Sequence, residues 1–353
     1  MRSIRAFIVW CVVLVIVGGT FYPLRTAQAA DDVDLSAIRL YVVNKATDLK
    51  KGAVALQNDS NTFYNMAQSV KFDYAVLWQS QKDNVVKSIQ AIQKEWTTVS
   101  PLYEQMEGIV AGVPFLSKYD PILDAGAKGD TNYNVLLPDG RSLEKPGNLF
   151  GLLETSLWGT DKDFIAPISV DFDGNGKQDF GEVMPDAILL KGFADALSDQ
   201  TGALLGQAIV WEPSESDVFT ALVINVPTMA DFFNSWKTSR FVMGDKATHN
   251  DFVVISRLSD INDNIGSWQV MWKGLSPLVE KVDAARNGQI NAGLADLKTY
   301  VDNLYSQEHG GKRFTPEQAD IFASEAQNRA TTIVGQITQV AAELNITLPN
   351  QNQ

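Results

Sequence analysis

Val85, Ile89, Ile92, Trp96, Val99, Tyr103 and Met106 recur at intervals of three and four over about six turns. A strand would send alternate residues of such a run to opposite faces, whereas a helix gathers them into one stripe. The run therefore predicts a long amphipathic helix that must cover its apolar face with other helices. Ile38, Tyr41, Val42, Leu49, Val54 and Leu56 follow the same spacing roughly. Leu258, Ile261, Ile265, Trp268, Trp272 and Leu275 repeat it, and Leu294, Leu297, Val301 and Leu304 form a further stripe. A last helix opens at Thr315-Pro316-Glu317-Gln318: Thr315 can cap, Pro316 suits the first turn, and Gln318 completes a capping box. Its stripe is Phe322, Ala326, Ala330, Ile333, Ile337, Ala341 and Leu344. The aromatics in these stripes read as bundle core, since an apolar stripe at helical spacing is what a bundle requires.

Two stretches interrupt the helices. From Leu116 to Pro146 the chain is rich in Gly, Asp and Pro, as in "DAGAKGDTNYNVLLPDGRSLEKPGN", which predicts an ordered loop or short hairpin. The second interruption, Asp161 to Met184, is the natural seam between two lobes, which a chain of this length favours over a single core. The expected fold class is all-α: a two-lobed helical bundle with an inserted calcium-type loop between the lobes. The expected divisions are a signal peptide over residues 1–29, an N-terminal lobe over 30–160, a linker over 161–190, a C-terminal lobe over 191–346 and a tail over 347–353.

The second interruption contains "DFDGNGKQDFGE", a full match to the twelve-residue loop D-x-[DN]-x-[DN]-G-x5-E. Asp171, Asp173 and Asn175 would supply side-chain oxygens, Lys177 its backbone carbonyl, Asp179 an oxygen through water, and Glu182 two oxygens. Gly176 permits the sharp turn. Hard oxygen donors at these spacings suit Ca²⁺. Gln178 stands where paired loops carry an aliphatic residue, and the preceding "FIAPISV" reads as extended. The expectation is a lone loop with a structural Ca²⁺, the alternative an acidic turn without metal.

The chain starts with Arg2 and Arg5 before the apolar run Ala6 to Val17, then Ala27-Gln28-Ala29. This is the pattern of a secretory signal peptide cleaved after Ala29. A membrane anchor is the alternative, but the run is short for a span. Cleavage would remove Cys11, the single cysteine, so no disulfide or thiolate chemistry is expected. It would also remove Arg2, Arg5 and Arg25 from a chain whose net charge is already −13. So acidic a chain argues against nucleic acid and against anionic membrane surfaces, and suits a protein that collects cations. No later segment is apolar and long enough to span a bilayer, so no stable insertion is expected after cleavage.

Catalytic signatures are missing from the sequence. Its two histidines, His249 and His309, form no H-E-x-x-H motif. There is no G-x-S-x-G elbow and no phosphate-binding glycine loop. His309 lies in a polar turn. His249 sits in "DKATHNDFVVISRLSDI", just before or at the start of a helix that Thr248 or Asn250 could cap, with Asp251 two residues on.

Three segments together resemble the imelysin-like family, and within it the EfeO/EfeM type of periplasmic iron-uptake protein. "YEQMEGIVAGVPFLSKYDPILDA" is similar to a Y-E-x-x-E helix followed by a D-P-x-x-D-A loop (Tyr103, Glu104, Glu107, Asp120, Pro121, Asp124, Ala125). "FGLLETSLWG" resembles F-H-x-x-E-x-x-L-W-G, with Gly151 where the family has histidine. "THNDF" through "GSWQVMWKGLSPLVEKVDA" resembles the S-H-x-D-L segment and the C-terminal helix pair. The resemblance implies a metal site between two lobes, carried by Glu107, Glu154, His249 and Asp251, for iron or another divalent ion. It also implies a periplasmic location and a membrane iron permease as partner. A fold that keeps its shape without the metal site, and a metallopeptidase, are the alternatives.

Overall fold

The computed structural model describes residues 33–348; the expected signal peptide and the last five residues lie outside the described residues. Helix α1 (Ser36–Ser69) buries Ile38, Val42, Ala46, Leu49, Ala53, Leu56, Phe63 and Ala67. Lys71 and Phe72, both at positive φ, end its turn into α2 (Tyr74–Val110), which Asp73 caps by accepting from Val76 N–H at 3.0 Å. The stripe from Val85 to Met106 is buried on α2 as its spacing predicts. The Gly/Asp/Pro-rich stretch forms a short helical turn at Pro121–Ala125 and an antiparallel hairpin, β1 (Asn134–Leu136) with β2 (Ser142–Glu144), in the register Val135↔Leu143.

Helix α3 (Leu149–Trp158) is capped by Asn148 and stopped by Gly159 in the left-handed conformation. Helix α4 (Ala187–Val210), capped by Asp186, lies along α1 and closes a bundle with α2 and α3. The expected lobe boundary thus differs from the observed packing. The expected C-terminal lobe begins at residue 191, whereas Phe193, Ala194 and Leu197 bury their stripe within the N-terminal helices. After α4 follow α5 (Glu215–Asn225), α6 (Met229–Thr238) and the single turn α7 (Arg240–Met243).

Helix α8 (Arg257–His309) reverses at Asp283 (φ −147°, ψ 85°), so residues 257–282 and 284–309 are antiparallel arms. Ser276 Oγ meets Asn287 Oδ1 at 2.7 Å near the reversal, and Asn262 bonds Asp302 and Lys298 farther along. The two stripes seen in the sequence at 258–275 and 294–304 are these arms. The first arm packs on α2, while α9 (Pro316–Glu343) packs against α8 and α6. The Thr315/Gln318 capping box is formed as predicted. No helix among the described residues is long and apolar enough to cross a membrane.

At Gly108, α2 comes so close to the first arm of α8 that a β-carbon would overlap Ser267 Oγ and the Trp268 indole. Gly108 also accepts a hydrogen bond from Asn225 Nδ2 at 2.7 Å. On an exposed helix, Gly→Ala gains about 1 kcal/mol. Here the overlap should reverse the sign: Gly108→Ala is expected to lose about 1–3 kcal/mol in urea unfolding. A stabilised variant would show that the two helices can separate at this point without cost.

Candidate metal centre

Just N-terminal to Gly108, α2 turns Glu104 and Glu107 toward α8, and both are buried. The facing arm presents Arg257, Asp260, Asn264 and Ser267 at intervals of three and four, all buried. A third wall is the turn at Pro121–Ala125, which carries Asp124, only 7 % exposed. Asn148 fastens that turn to α3. Its N–H and its Nδ2 donate to Gly126 O at 2.9 and 3.2 Å, and its Oδ1 accepts from Gly151 N–H at 2.7 Å.

One carboxylate oxygen from each of Glu104, Glu107 and Asp124 lies within 4.8 Å of the other two. That is the spread of oxygens around one ion bonded at about 2.3–2.4 Å. Asn264 Nδ2 donates to Glu107 Oε2, and Tyr103 Oη donates to Asp120 Oδ1 at 2.9 Å. Arg257 is the one cation at the cluster among the described residues. Its Nη1 lies 3.3 Å from Asp260, 3.6 Å from Glu104 and 3.8 Å from Asp124. Its guanidinium is sandwiched between the Phe232 and Phe252 rings, at 4.7 and 4.5 Å. Asp124 Oδ2 has no hydrogen-bond partner among the described residues.

Removal of water dominates the electrostatics. Burial raises the carboxyls of Glu104 and Asp124 well above the usual range, and each is pushed further by its acidic neighbours. Burial likewise lifts Asp120 and Asp260 to about 7. Arg257 stays fully charged because Glu104, Glu107, Asp260 and Asp124 surround it. One guanidinium cannot balance all of these carboxylates. The remainder must hold protons or share a cation.

The structure separates the four residues that the resemblance brought together. Glu107 belongs to the cluster. Glu154, buried on α3, spends both oxygens on backbone: Oε2 accepts from Phe252 N–H at 2.8 Å, and Oε1 from Val253 and Val254 N–H at 3.0 and 3.2 Å. Its acid is lifted to about 8 by burial first and Asp251 second, against the three hydrogen bonds. Asp251, Glu154, Glu104, Asp124 and Asp260 line one cavity of about 10 Å³, about the space of a single water or bare ion. His249 lies outside it, 38 % exposed, with Nδ1 3.3 Å from Asp251 Oδ1. Neither Thr248 nor Asn250 caps α8. Ser256 does, because residues 249–255 are a loop, and His249 is well short of the helix.

Glu104, Asp124, Asp260, Arg257 and Asn264 are not among the expected ligands. The signal was polar residues in helical rhythm beside an apolar stripe: Arg257, Asp260, Asn264 and Ser267 accompany Leu258, Ile261, Ile265 and Trp268. A polar run at core spacing marks a second buried face, where partners are obligatory.

The calcium-type loop folds around Glu182, which is buried and accepts from the N–H groups of Phe172, Asp173 and Asp179. Oxygens of Asp171, Asp173 and Glu182 converge within 4.8 Å. Asn175 Nδ2 donates to Asp173 and Asp179, and Lys177 N–H donates to Asn175 Oδ1. Gly174 and Gly176 take the positive φ that the turn needs. No helix flanks the loop; extended segments do, paired at Ile165↔Pro185.

A family model described as imelysin (Peptidase_M75) matches residues 42–344. That span includes every residue of the cluster, of the loop and of α3. No curated protein matches the chain.

The raised acids set a sign for stability against pH. Asp120, Asp260 and Glu154 titrate near 7, 7 and 8 when folded, but near 4 when unfolded. Between these values the folded state binds more protons, so stability falls as pH rises. With cations removed by chelation, Tm should drop by several degrees from pH 5 to 8. Asp260→Asn should flatten that slope, and an unchanged slope would show that Asp260 does not titrate in this window.

Proposed function

The chain belongs to the imelysin family, and we propose that it is an exported cation-binding protein of the EfeO/EfeM type, serving iron uptake. Its cargo ion sits between α2, the Pro121–Ala125 turn and α8. Glu104, Glu107 and Asp124 are the ligands, and Glu104 and Asp124 also line a small cavity with Asp260 and Asp251. The observation that carries this reading is Asp124 Oδ2, buried without a hydrogen bond where three carboxylates converge, with Arg257 Nη1 no nearer than 3.8 Å. Three buried carboxylates that share one guanidinium are costly enough to ionise that a bound cation is the natural completion.

The donor set supports a hard ion. All of the proposed ligands are carboxylates and His249 stands outside, so oxygen-preferring ions, ferric iron included, suit the site better than soft ones. A cavity of about 10 Å³ is on the scale of a single water or ion and not of a peptide, which supports the carrier reading. The location outside the cytoplasm and hand-over to a membrane iron permease belong to the same proposal. They rest on the family resemblance and on the leading segment Met1–Ala29. The loop from Asp171 to Glu182 is proposed as a separate structural Ca²⁺ site. It leans on Trp78 through Phe172, and Gln93 ties Gly181 to Leu157 at the end of α3.

One observation favours the rival scaffold reading. Arg257 already stands among the acids, and with protons on the rest it could neutralise the cluster alone.

Titration of the purified chain with Fe³⁺, Fe²⁺, Mn²⁺ and Zn²⁺ separates the two readings. The carrier should bind a hard ion more tightly with rising pH, and Glu104→Gln with Asp124→Asn should weaken binding at least about tenfold, the scale seen even for supporting residues of metal sites. Binding that ignores both changes, or no binding by the unaltered chain, leaves the scaffold.

Ca²⁺ should raise Tm through a second site, by the mass action of a ligand that prefers the folded state. Asp171→Ala should abolish that rise without touching hard-ion binding at the cluster. A rise that survives Asp171→Ala would remove the loop from the proposal.

A further inference from the structure

We propose that residues 249–255 form a strap over the acid cluster and that Glu154 is its latch, so that the cation reaches Glu104, Glu107 and Asp124 when the carboxylate releases the strap. This rests on the cation-binding reading above and adds how the site is opened. The strap supplies one wall of the cavity, through Asp251, Phe252 and Ile255. Among the described residues, none of its N–H groups enters a backbone–backbone hydrogen bond. Three of them, at Phe252, Val253 and Val254, go to Glu154 instead. A segment without ladder or helix bonds opens at far lower cost than the helices beside it.

Phe252 adds a bias toward opening. Its φ of 52° is left-handed, a strained backbone for a bulky side chain. What holds it there is the Glu154 carboxylate on its N–H and the Arg257 guanidinium on its ring. Lifting the strap would therefore relieve the strain and uncover the one cation at the cluster. The outer end of the strap is fastened by Thr160 Oγ1, which donates to Asn250 O at 2.5 Å.

A route to solvent adjoins the strap. An open groove of about 280 Å³ shares Asn148, Gly151 and Asp251 with the inner cavity. At this point the wall is a glycine facing the strap. A β-carbon at position 151 would stand 2.9 Å from Asn148 Oδ1, pressing on the cap that joins α3 to the Asp124 turn. In this reading Glu154 is a positioning residue acting through the strap and not a ligand of the ion.

Two measurements on the full chain test the latch. Amide hydrogen exchange without metal reads the strap directly. Glu154→Gln keeps the volume but turns an N–H₂ group toward backbone N–H, and should speed exchange at 252–254 at least tenfold while α2 and α9 stay protected. Stopped-flow capture and release of Tb³⁺, a hard oxygen-seeking probe near Trp96, reads the gate, with Asp171→Ala present to silence the calcium loop. Both rates should rise together, about tenfold in Glu154→Gln and severalfold in Thr160→Val, a change distant from the cluster that serves if Glu154→Gln does not fold. Unchanged exchange at 252–254 overturns the latch. Faster exchange with unchanged Tb³⁺ rates overturns the gate, and loss of capture with slow release unaltered would make Glu154 a ligand instead. Failure of the unaltered chain to bind Tb³⁺ or any other hard ion at the cluster would overturn the cation reading itself, and the gate with it.

Discussion

Too many carboxylates share too little water in the interior of this protein. Glu104, Glu107, Asp124 and Asp260 are enclosed by helices, with Arg257 as the cation beside them. In a medium of low polarity, like charges a few ångströms apart repel strongly, and neither solvent nor salt screens them. Such an arrangement survives folding only if protons or a cation complete it. Asn264, the Arg257 side chain and the two rings that sandwich it are the parts of the fold that hold the imbalance in place.

The surrounding architecture can be understood as what it takes to enclose that cluster. Gly108 lets α2 and α8 approach until Glu104 and Glu107 face Arg257, Asp260 and Asn264. The reversal of α8 at Asp283 returns the chain so that Ser256 lies near Glu308 at the far end of the same element. Glu308 in turn accepts from Trp236 Nε1 at 2.7 Å, which binds α6 to the second arm. Asn148 joins the Asp124 turn to α3, and α3 holds the strap through Glu154. A displacement at any of these joints alters the spacing of the carboxylates, because the packed interior offers no slack to absorb it.

Helical periodicity made most of the fold legible. The stripes at 85–106, 258–275, 294–304 and 326–341 are buried in helices, and the Thr315 box caps the last of them. The hairpin and the lone acidic loop were readable from Gly, Asp and Pro placement. Tertiary choices were less so. Nothing in the pattern of α4 says that its stripe packs on α1 rather than on the helices that follow it. The site was legible in part. Glu154 stands out as the lone acid of the apolar run Leu149–Trp158, but its partners are three backbone N–H groups nearly a hundred residues away. No side-chain pattern can announce a backbone donor. Glu104 and Asp260 could have been found by treating polar residues at core spacing as a face in their own right, whereas Asp124 sits on a short turn where no such spacing exists.

The two acidic sites differ in the physical term that would govern a bound ion. The loop at Asp171–Glu182 is open to solvent along most of its length, and backbone N–H groups already hold the Asp171 acid below its usual range. The selectivity of such an open loop would come from ring size and oxygen count. The enclosed cluster is ionised only against the cost of desolvation, so an ion there must displace protons as it binds. An ion of higher charge density recovers more of that cost, since its attraction to three converging carboxylates grows with its charge while the desolvation of the ligands stays fixed. Enclosure therefore favours a small, highly charged, oxygen-seeking ion, whereas exposure tolerates Ca²⁺. If both sites are filled as proposed, the two cations would not compete for the same ligands, because the two acidic groups share no residue.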